Sequence, residues 1–355
     1  MTLRRRTGVH RKPLMALLCL LVLSGSGGAQ AWGQETRSDI VIKDKRVSES
    51  SALGVSPADD GLLYTVNDSG HDPIVFVIER ASGDIVGTTL LKGLDPEVVD
   101  PEALAVQGKT LWVADTGDNR HERDDVALYS LPAPGRGEHT VQPETYPLTY
   151  PAGNPDVEAL LMAPDGGGWL ITKEVLGGEV LALPDDMQPD EPVKPEPVPD
   201  VRVPGLVTDA SVLPGGEGAV VRLYGKALMY RLSDWSKVAT IDLPSQQQGE
   251  SITVLGDGAT LLAGSEGSPA LIDSVQVPST VLADLDRPAE TTDSADAASS
   301  QPDADPTTAS SDEPADAVDA QVLVIAAVLA GLVVLGGGLV WLRRRMLARR
   351  EAPYY

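Results

Sequence analysis

The chain has 355 residues, 52 acidic and 28 basic side chains, and a formal net charge of −24 at neutral pH. So acidic a surface repels a phosphate backbone and anionic lipid, which excludes nucleic-acid binding and favours cations or basic partners. The single cysteine, Cys19, excludes a disulfide framework and a thiolate zinc site, so the fold rests on apolar burial alone.

In chain order, Arg4, Arg5, Arg6, Arg11 and Lys12 precede an apolar run over 14–23 and then Ala29-Gln30-Ala31. A basic start, a short apolar core and a small-x-small site predict a signal peptide over 1–31, removed on export. Cys19 leaves with it. Abundant Ala, Gly and Asp, with Lys scarce beside Arg, point to a bacterial source.

Residues 39–280 carry a repeat. Its units open at residues 51, 102, 158, 209 and 250, with Ser51-Ala52-Leu53, Glu102-Ala103-Leu104, Glu158-Ala159-Leu160, Asp209-Ala210-Ser211 and Glu250-Ser251-Ile252. Each opening leads into short alternating strands separated by Gly/Asp turns, the pattern of successive antiparallel strands. The first unit predicts strands over 51–57, 62–67, 74–79 and 85–91. The second predicts 102–106, 110–114 and 126–131, then a looser stretch through 150; the third predicts 157–163, 169–172 and 179–183, then a Pro-rich excursion over 184–204. The fourth is regular, with 207–213, 219–223, 227–232 and 238–243, and the fifth has 251–255, 260–263 and 270–275 without a clear fourth strand.

A period of this length with several strands per unit predicts an all-β fold, a β-propeller. Five blades of four strands are favoured, with six as the alternative if 133–156 or 184–206 supplies a further blade. The free strand Asp39-Ile40-Val41-Ile42-Lys43 is the expected donor of the missing fourth strand, closing the ring and removing exposed edges.

Past the repeat, 284–320 is rich in Asp, Ser, Thr, Ala and Pro and predicts a disordered stalk. Residues 322–342 are uncharged and predict a transmembrane helix, since at about 1.5 Å per residue they reach across a hydrocarbon core. The acidic flank before it and Arg343-Arg344-Arg345 after it place residues 343–355 in the cytoplasm and the propeller outside. The expected localisation is the cell membrane, single-pass, with the membrane as one partner.

In a blade the first and second strands are antiparallel, so first-strand entries and second-strand exits meet on one face of the channel. That face collects Ser51, Asp100, Glu102, Asp156, Glu158, Asp209 and Glu250 from entries. From exits it collects Asn67, Asp68, Asp115, Asp118, Asn119, Lys173, Glu174, Arg222 and Glu266. The expected channel-face group is Glu102, Glu158, Asp209, Glu250, Lys173, Arg222 and Glu266. Oxygen ligands of this kind suit a hard cation such as Ca²⁺, with Asn67, Asp68, Asp115, Asp118 and Asn119 the local candidates. Asp/Asn/Gly turn chemistry also accounts for those loop residues. There is no G-x-S-x-G elbow, and His71, His121 and His139 fall in loops without zincin spacing.

The segments Asp100-Pro101-Glu102-Ala103-Leu104-Ala105-Val106 and Leu111-Trp112-Val113-Ala114-Asp115-Thr116-Gly117-Asp118-Asn119-Arg120 resemble blades of exported bacterial propellers of the gluconolactonase/NHL and phytase-like-esterase kind. The resemblance implies a propeller and, in its lactonase-type members, a divalent metal on the channel; Glu102, Glu158, Asn67 and Asp115 are the positions it points to. No full catalytic signature accompanies it, and a shared fold is not evidence of catalysis. The expected function is a membrane-anchored extracellular module that binds a protein or glycan. The alternative is a metal-dependent hydrolase of the esterase, lactonase or phosphatase type at the surface.

Overall fold

The computed structural model describes residues 39–287 apart from 69, 97 and 152. After the short strand β1 (Ile40–Ile42), the first blade consists of β2 (Gly54–Val55), β3 (Leu62–Thr65), β4 (Ile74–Glu79) and β5 (Asp84–Leu91). The second holds β6 (Pro101–Gln107), β7 (Thr110–Asp115) and β8 (Ala127–Pro132); the chain then runs through β9 (Gly137–Val141) to β10 (Glu144–Pro147). The third comprises β11 (Val157–Met162), β12 (Gly168–Thr172), β13 (Gly178–Leu183) and β14 (Glu196–Val203). The fourth comprises β15 (Val207–Val212), β16 (Gly218–Leu223), β17 (Lys226–Arg231) and β18 (Lys237–Asp242). The fifth has β19 (Gly249–Val254), β20 (Thr260–Ser265) and β21 (Ala270–Gln276), followed by helix α1 (Ser279–Leu285).

These strands form five sheets, and the fold is a five-bladed β-propeller. The first strands β2, β6, β11, β15 and β19 pack beside one another in ring order. β1 completes the last blade by pairing antiparallel with β21, Ile40 opposite Ile272 and Ile42 opposite Ala270, as the free N-terminal strand predicts. First and last parts of the domain are thereby joined in one sheet, which leaves the inner ring no open gap.

The irregular stretches do not form a sixth blade; they supply outer strands. β9 leaves the second blade to add a parallel fifth strand to β5, β10 returns to pair with β8, and β14 edges the third blade. Pro197 and Pro199 are tolerated in β14 because its far side has no strand to bond.

The apolar core is divided into five clusters, one at each blade interface. Tyr64 and Leu104 join the first and second blades, Trp112 and Leu160 the second and third, Leu161 and Val221 the third and fourth. Val220 and Ile252 join the fourth and fifth, and Leu53 and Ile272 the fifth and first. A buried side chain of this size contributes about 1.5–3 kcal/mol, so each interface binds its two blades firmly. Turns must stay thin where blades abut: Gly83, at φ +76°, brings the β4–β5 turn so close to the Val41 carbonyl of β1 that a Cβ would overlap it.

The membrane reading is corrected. Among the described residues no helix is long and apolar enough to cross a membrane. The helix that is described, α1, has 7 residues and rises only about 10 Å, against about 30 Å of hydrocarbon. It docks on the fourth blade instead, with Leu285 buried and Arg231 donating hydrogen bonds to the carbonyls of Asp284 and Leu285. The segment expected to span, 322–342, lies outside the described residues, as do the expected signal peptide and cytoplasmic tail and nearly all of the expected stalk. Single-pass anchoring, the membrane as partner and a cell-membrane localisation therefore do not enter the functional account.

Candidate functional site

One backbone device recurs where the first strands begin. Pro101 and Ala103 pair with the consecutive residues Asp115 and Ala114, so Glu102 has no residue opposite. The same bulge isolates Glu158 between Val157 and Ala159, Thr208 between Val207 and Asp209, and Glu250 between Gly249 and Ser251. A bulge of this kind takes a side chain out of the strand's alternation and re-aims it. In three blades the re-aimed residue is a glutamate. In the fourth it is Thr208, whose hydroxyl donates to the Gly249 carbonyl of the next blade at 3.5 Å. In the first blade the hydroxyl of Ser51 likewise reaches the Pro101 carbonyl at 2.8 Å.

The three glutamates share one electrostatic environment. Burial raises Glu102 well above the usual carboxylate range, and the charges of Glu158 and Asp100 raise it further while Lys173 offsets them. Glu102 is 8% exposed, and no hydrogen bond or ion pair reaches its carboxylate among the described residues. The turn beside it has no room to spare: a Cβ on Gly117 would stand 2.5 Å from Asp100 Oδ2 and 2.6 Å from Glu102 Oε1. Lys173 Nζ lies 2.9 Å from Glu158 Oε1. Burial raises Glu158 while Lys173 lowers it, and Glu158 in turn raises Lys173; the short contact decides for the charged pair. Glu250 is raised by burial and drawn back by Lys173, Arg222 and a hydrogen bond from Tyr224.

Beside this group, on the first blade, Glu49, Asp68 and His71 bring one carboxylate oxygen each and a ring nitrogen within 4.8 Å of one another. His71 Nδ1 is 3.2 Å from Glu49 Oε2 and 3.9 Å from Asp68 Oδ1, while its Nε2 lies 3.4 Å from the Ser48 hydroxyl. All three residues are half-buried. Asp68 Oδ1 is buried with no hydrogen-bond partner. Burial, then Glu49, Glu266 and Asp100, push the Asp68 carboxyl up to about 8; burial, Glu250 and Glu49 push Glu266 to about 7. An orphaned carboxylate oxygen, an imidazole and a surplus of unneutralised acid fit a divalent cation.

The other expected site residues have different surroundings. Asp209 stands one position beyond the bulge, opposite Arg222, and is fully buried; its carboxylate accepts the backbone N–H groups of Ala210 and Ile252 at 2.7 Å each. Arg222 is fully buried too, donating to the carbonyls of Ser251 and Gly264 and to Gln246 Oε1 at 2.5, 2.8 and 2.5 Å. These two tie the fourth blade to the fifth. Asn67 is held by the Arg46 carbonyl and the Glu49 N–H. Asp115 pairs with Arg123 at 2.6 Å, and Asp118 accepts the N–H groups of Glu122 and Arg123, so turn chemistry accounts for both. Asn119 is exposed in the same loop. Of the five expected metal ligands the structure groups only Asp68 with other ligating side chains. The partners it has, Glu49 and His71, carry no spacing signal; His71 reads as a loop residue until the fold places Glu49 beside it.

The opposite end of the channel is different in kind. A cavity of about 490 Å³ opens among the ends of the first strands, lined by Val55, Val106, Met162, Val212 and Val254. It lies at the other end of the strands from Glu102, Glu158 and Glu250, and Asp59 and Asp60 are the acidic residues of its lining.

No protein-family model matches the chain, and no curated protein matches it. Among solved structures it is similar to Kuenenia stuttgartiensis hydrazine synthase, at 12% identity and TM-score 0.37, over 64% of this chain and 71% of that one. It is similar also to the β-propeller domain of Myceliophthora thermophila Cps50 (Swd1), at 13% identity and TM-score 0.37, over 68% of each chain. Likeness at this level carries no argument about function. The gluconolactonase/NHL resemblance is thereby narrowed to a propeller fold in common with other propeller proteins.

Proposed function

We propose that the protein is a metal-dependent hydrolase of the esterase, lactonase or phosphatase type, with its centre at the acidic mouth of the channel. The observation that carries this reading is the Glu49–Asp68–His71 group beside buried carboxylates that Lys173 offsets only in part. The expected binding module gives way to this alternative because a passive surface has no need of a ligating triad with a buried orphan oxygen. Glu49, Asp68 and His71 would hold the ion. Two carboxylates and one imidazole suit a borderline ion such as Mn²⁺ better than Ca²⁺, which prefers an all-oxygen shell.

The ion, when bound, supplies positive charge that polarises a carbonyl or phosphoryl oxygen. The protein's own groups then divide the remaining work. Glu158 fixes the Lys173 ammonium at the mouth, where it can face the oxygen on which charge develops during hydrolysis. Glu102, raised by burial and by the charges of Glu158 and Asp100, is the group of the mouth placed for proton transfer with a leaving oxygen. The bulges hold both glutamates on strands rather than on loops, which limits their motion.

Hydrolysis of p-nitrophenyl acetate, a γ-lactone and p-nitrophenyl phosphate tests this. At least one is expected to be cleaved with Mn²⁺, to lose cleavage in EDTA and to recover it on adding Mn²⁺ back. Asp68→Asn with His71→Ala is expected to lower kcat/KM by about 100-fold. Metal-independent turnover, or none of the three cleaved, contradicts the reading.

A further inference from the structure

Among the described residues the exposed large hydrophobic side chains are Leu90, Val98, Val175, Leu176, Leu206 and Tyr224. Single apolar residues on a surface need no explanation, but these are not scattered. All except Leu90 lie in connections on the face that carries the carboxylates. Val98 precedes Asp100 on the way into β6, and Leu206 immediately precedes β15. Val175 and Leu176, 82% and 96% exposed, form the β12–β13 turn just after Lys173. Tyr224 follows β16, and burial and then the charge of Glu250 raise its phenol, which places it beside that carboxylate. An acidic centre thus has an apolar and aromatic rim, thickest on the third and fourth blades and away from the Glu49–Asp68–His71 group.

The residues of this sector fit one kind of guest. An anion is repelled by Glu102, Glu158, Glu250 and Glu266, against which Lys173 is the cation at the mouth and is already paired with Glu158. A small hydrated cation makes no use of Val175 and Leu176. A cation with an apolar body uses both: its charge faces Glu102, whose carboxylate accepts no hydrogen bond among the described residues, and Glu250, beside Tyr224, while its chain covers the rim. We propose that the third- and fourth-blade sector of the mouth is a subsite for an organic ammonium group bearing an apolar chain, so that the substrates of this site are amine-containing amphiphiles. The inference rests on the hydrolase reading only in treating the mouth as the substrate's entrance.

Calorimetric titration of the full-length protein with n-octylammonium, methylammonium and octanoate, with Mn²⁺ titrated separately, tests it. Octylammonium is expected to bind at least tenfold more tightly than methylammonium, and octanoate to show no saturable binding. Val175→Ser with Leu176→Ser, both on an exposed turn, is expected to erase the chain-length preference while methylammonium and Mn²⁺ titrate as before. Glu250→Gln is expected to weaken both ammonium probes by at least tenfold. Octanoate binding as tightly as octylammonium, or a chain-length preference that survives the serine substitutions, overturns the proposal. Ammonium discrimination without Mn²⁺ binding removes the metal centre and leaves the subsite; Mn²⁺ binding without discrimination removes the subsite alone.

Discussion

Arg222→Met is expected to destabilise the propeller by about 3–5 kcal/mol, since three buried acceptors lose their donor at about 1–3 kcal/mol each. Arg222 is the largest fully buried side chain among the described residues, and its guanidinium serves two blades at once. Its Nη1 donates to the Ser251 and Gly264 carbonyls of the fifth blade and its Nη2 to Gln246, while Asp209 stands opposite it in the ladder. Burial holds the guanidinium down to about 10 even with Asp209, Glu250 and Asp273 nearby, so desolvation is the largest influence on the group. Met fills the volume but takes the guanidinium donor away from two carbonyls and from Gln246 Oε1. Arg222→Lys does not rescue, because a point ammonium cannot reproduce a planar fork with three acceptors. Gly249 sits against the same fork, where a Cβ would overlap Nη2, so the fork dictates its neighbour's size. Urea denaturation monitored by tryptophan fluorescence checks the loss; a change under about 1 kcal/mol for Arg222→Met would show that the guanidinium's hydrogen bonds are not structural.

Ile42→Asp is expected to have the second largest effect, at least about 3 kcal/mol, with a change in hydrodynamic size as well. Ile42 is 1% exposed and packs in the cluster between the fifth and first blades, on the strand that completes the ring. A carboxylate there finds no cation in that cluster and undocks β1 from β21. The freed edge of β21 is then open to pairing between molecules. Size-exclusion chromatography is expected to show larger species for Ile42→Asp and a single species for Val41→Asp, since Val41 is only half-buried on the other face of the same strand. Equal behaviour of the two variants would mean that β1 is dispensable.

Much of this architecture was legible because it depends on local chemistry. The Gly/Asp turns and alternating strands repeat in every unit, and the N-terminal strand had no other partner within reach. β9 and β14 were not legible. Their residues are exposed, and an outer strand that buries little leaves no alternation to read. The acidic face was legible from antiparallel geometry, yet its details were not. In the fourth unit Asp209 was aligned with Glu102, Glu158 and Glu250, whereas the bulge places Thr208 there and turns Asp209 into a buried staple. A one-residue bulge leaves no mark in composition. Glu49, His71 and Tyr224 come from three separate connections, and only the closed ring brings them to the mouth.

A divalent cation held in the acidic mouth makes both stability and binding depend on pH. Asp68 and Glu266, at about 8 and about 7, and Glu102 are raised above their unfolded values by burial and like charge. A carboxyl raised on folding binds more protons in the native state between its unfolded and folded pKa. The metal-free protein should therefore lose stability as pH rises from about 4 to about 8. A bound cation replaces those protons, so affinity should rise over the same interval and binding should release protons. The most direct measurement is isothermal titration of Mn²⁺ at about pH 5.5 and about pH 8 in buffers of different ionisation enthalpy, for the native protein and Asp68→Asn. Binding is expected to be at least tenfold tighter at the higher pH, with buffer-dependent heats, and at least tenfold weaker in the variant. Absence of saturable binding at millimolar Mn²⁺, or binding unaffected by both pH and Asp68→Asn, would contradict a cation site in the mouth.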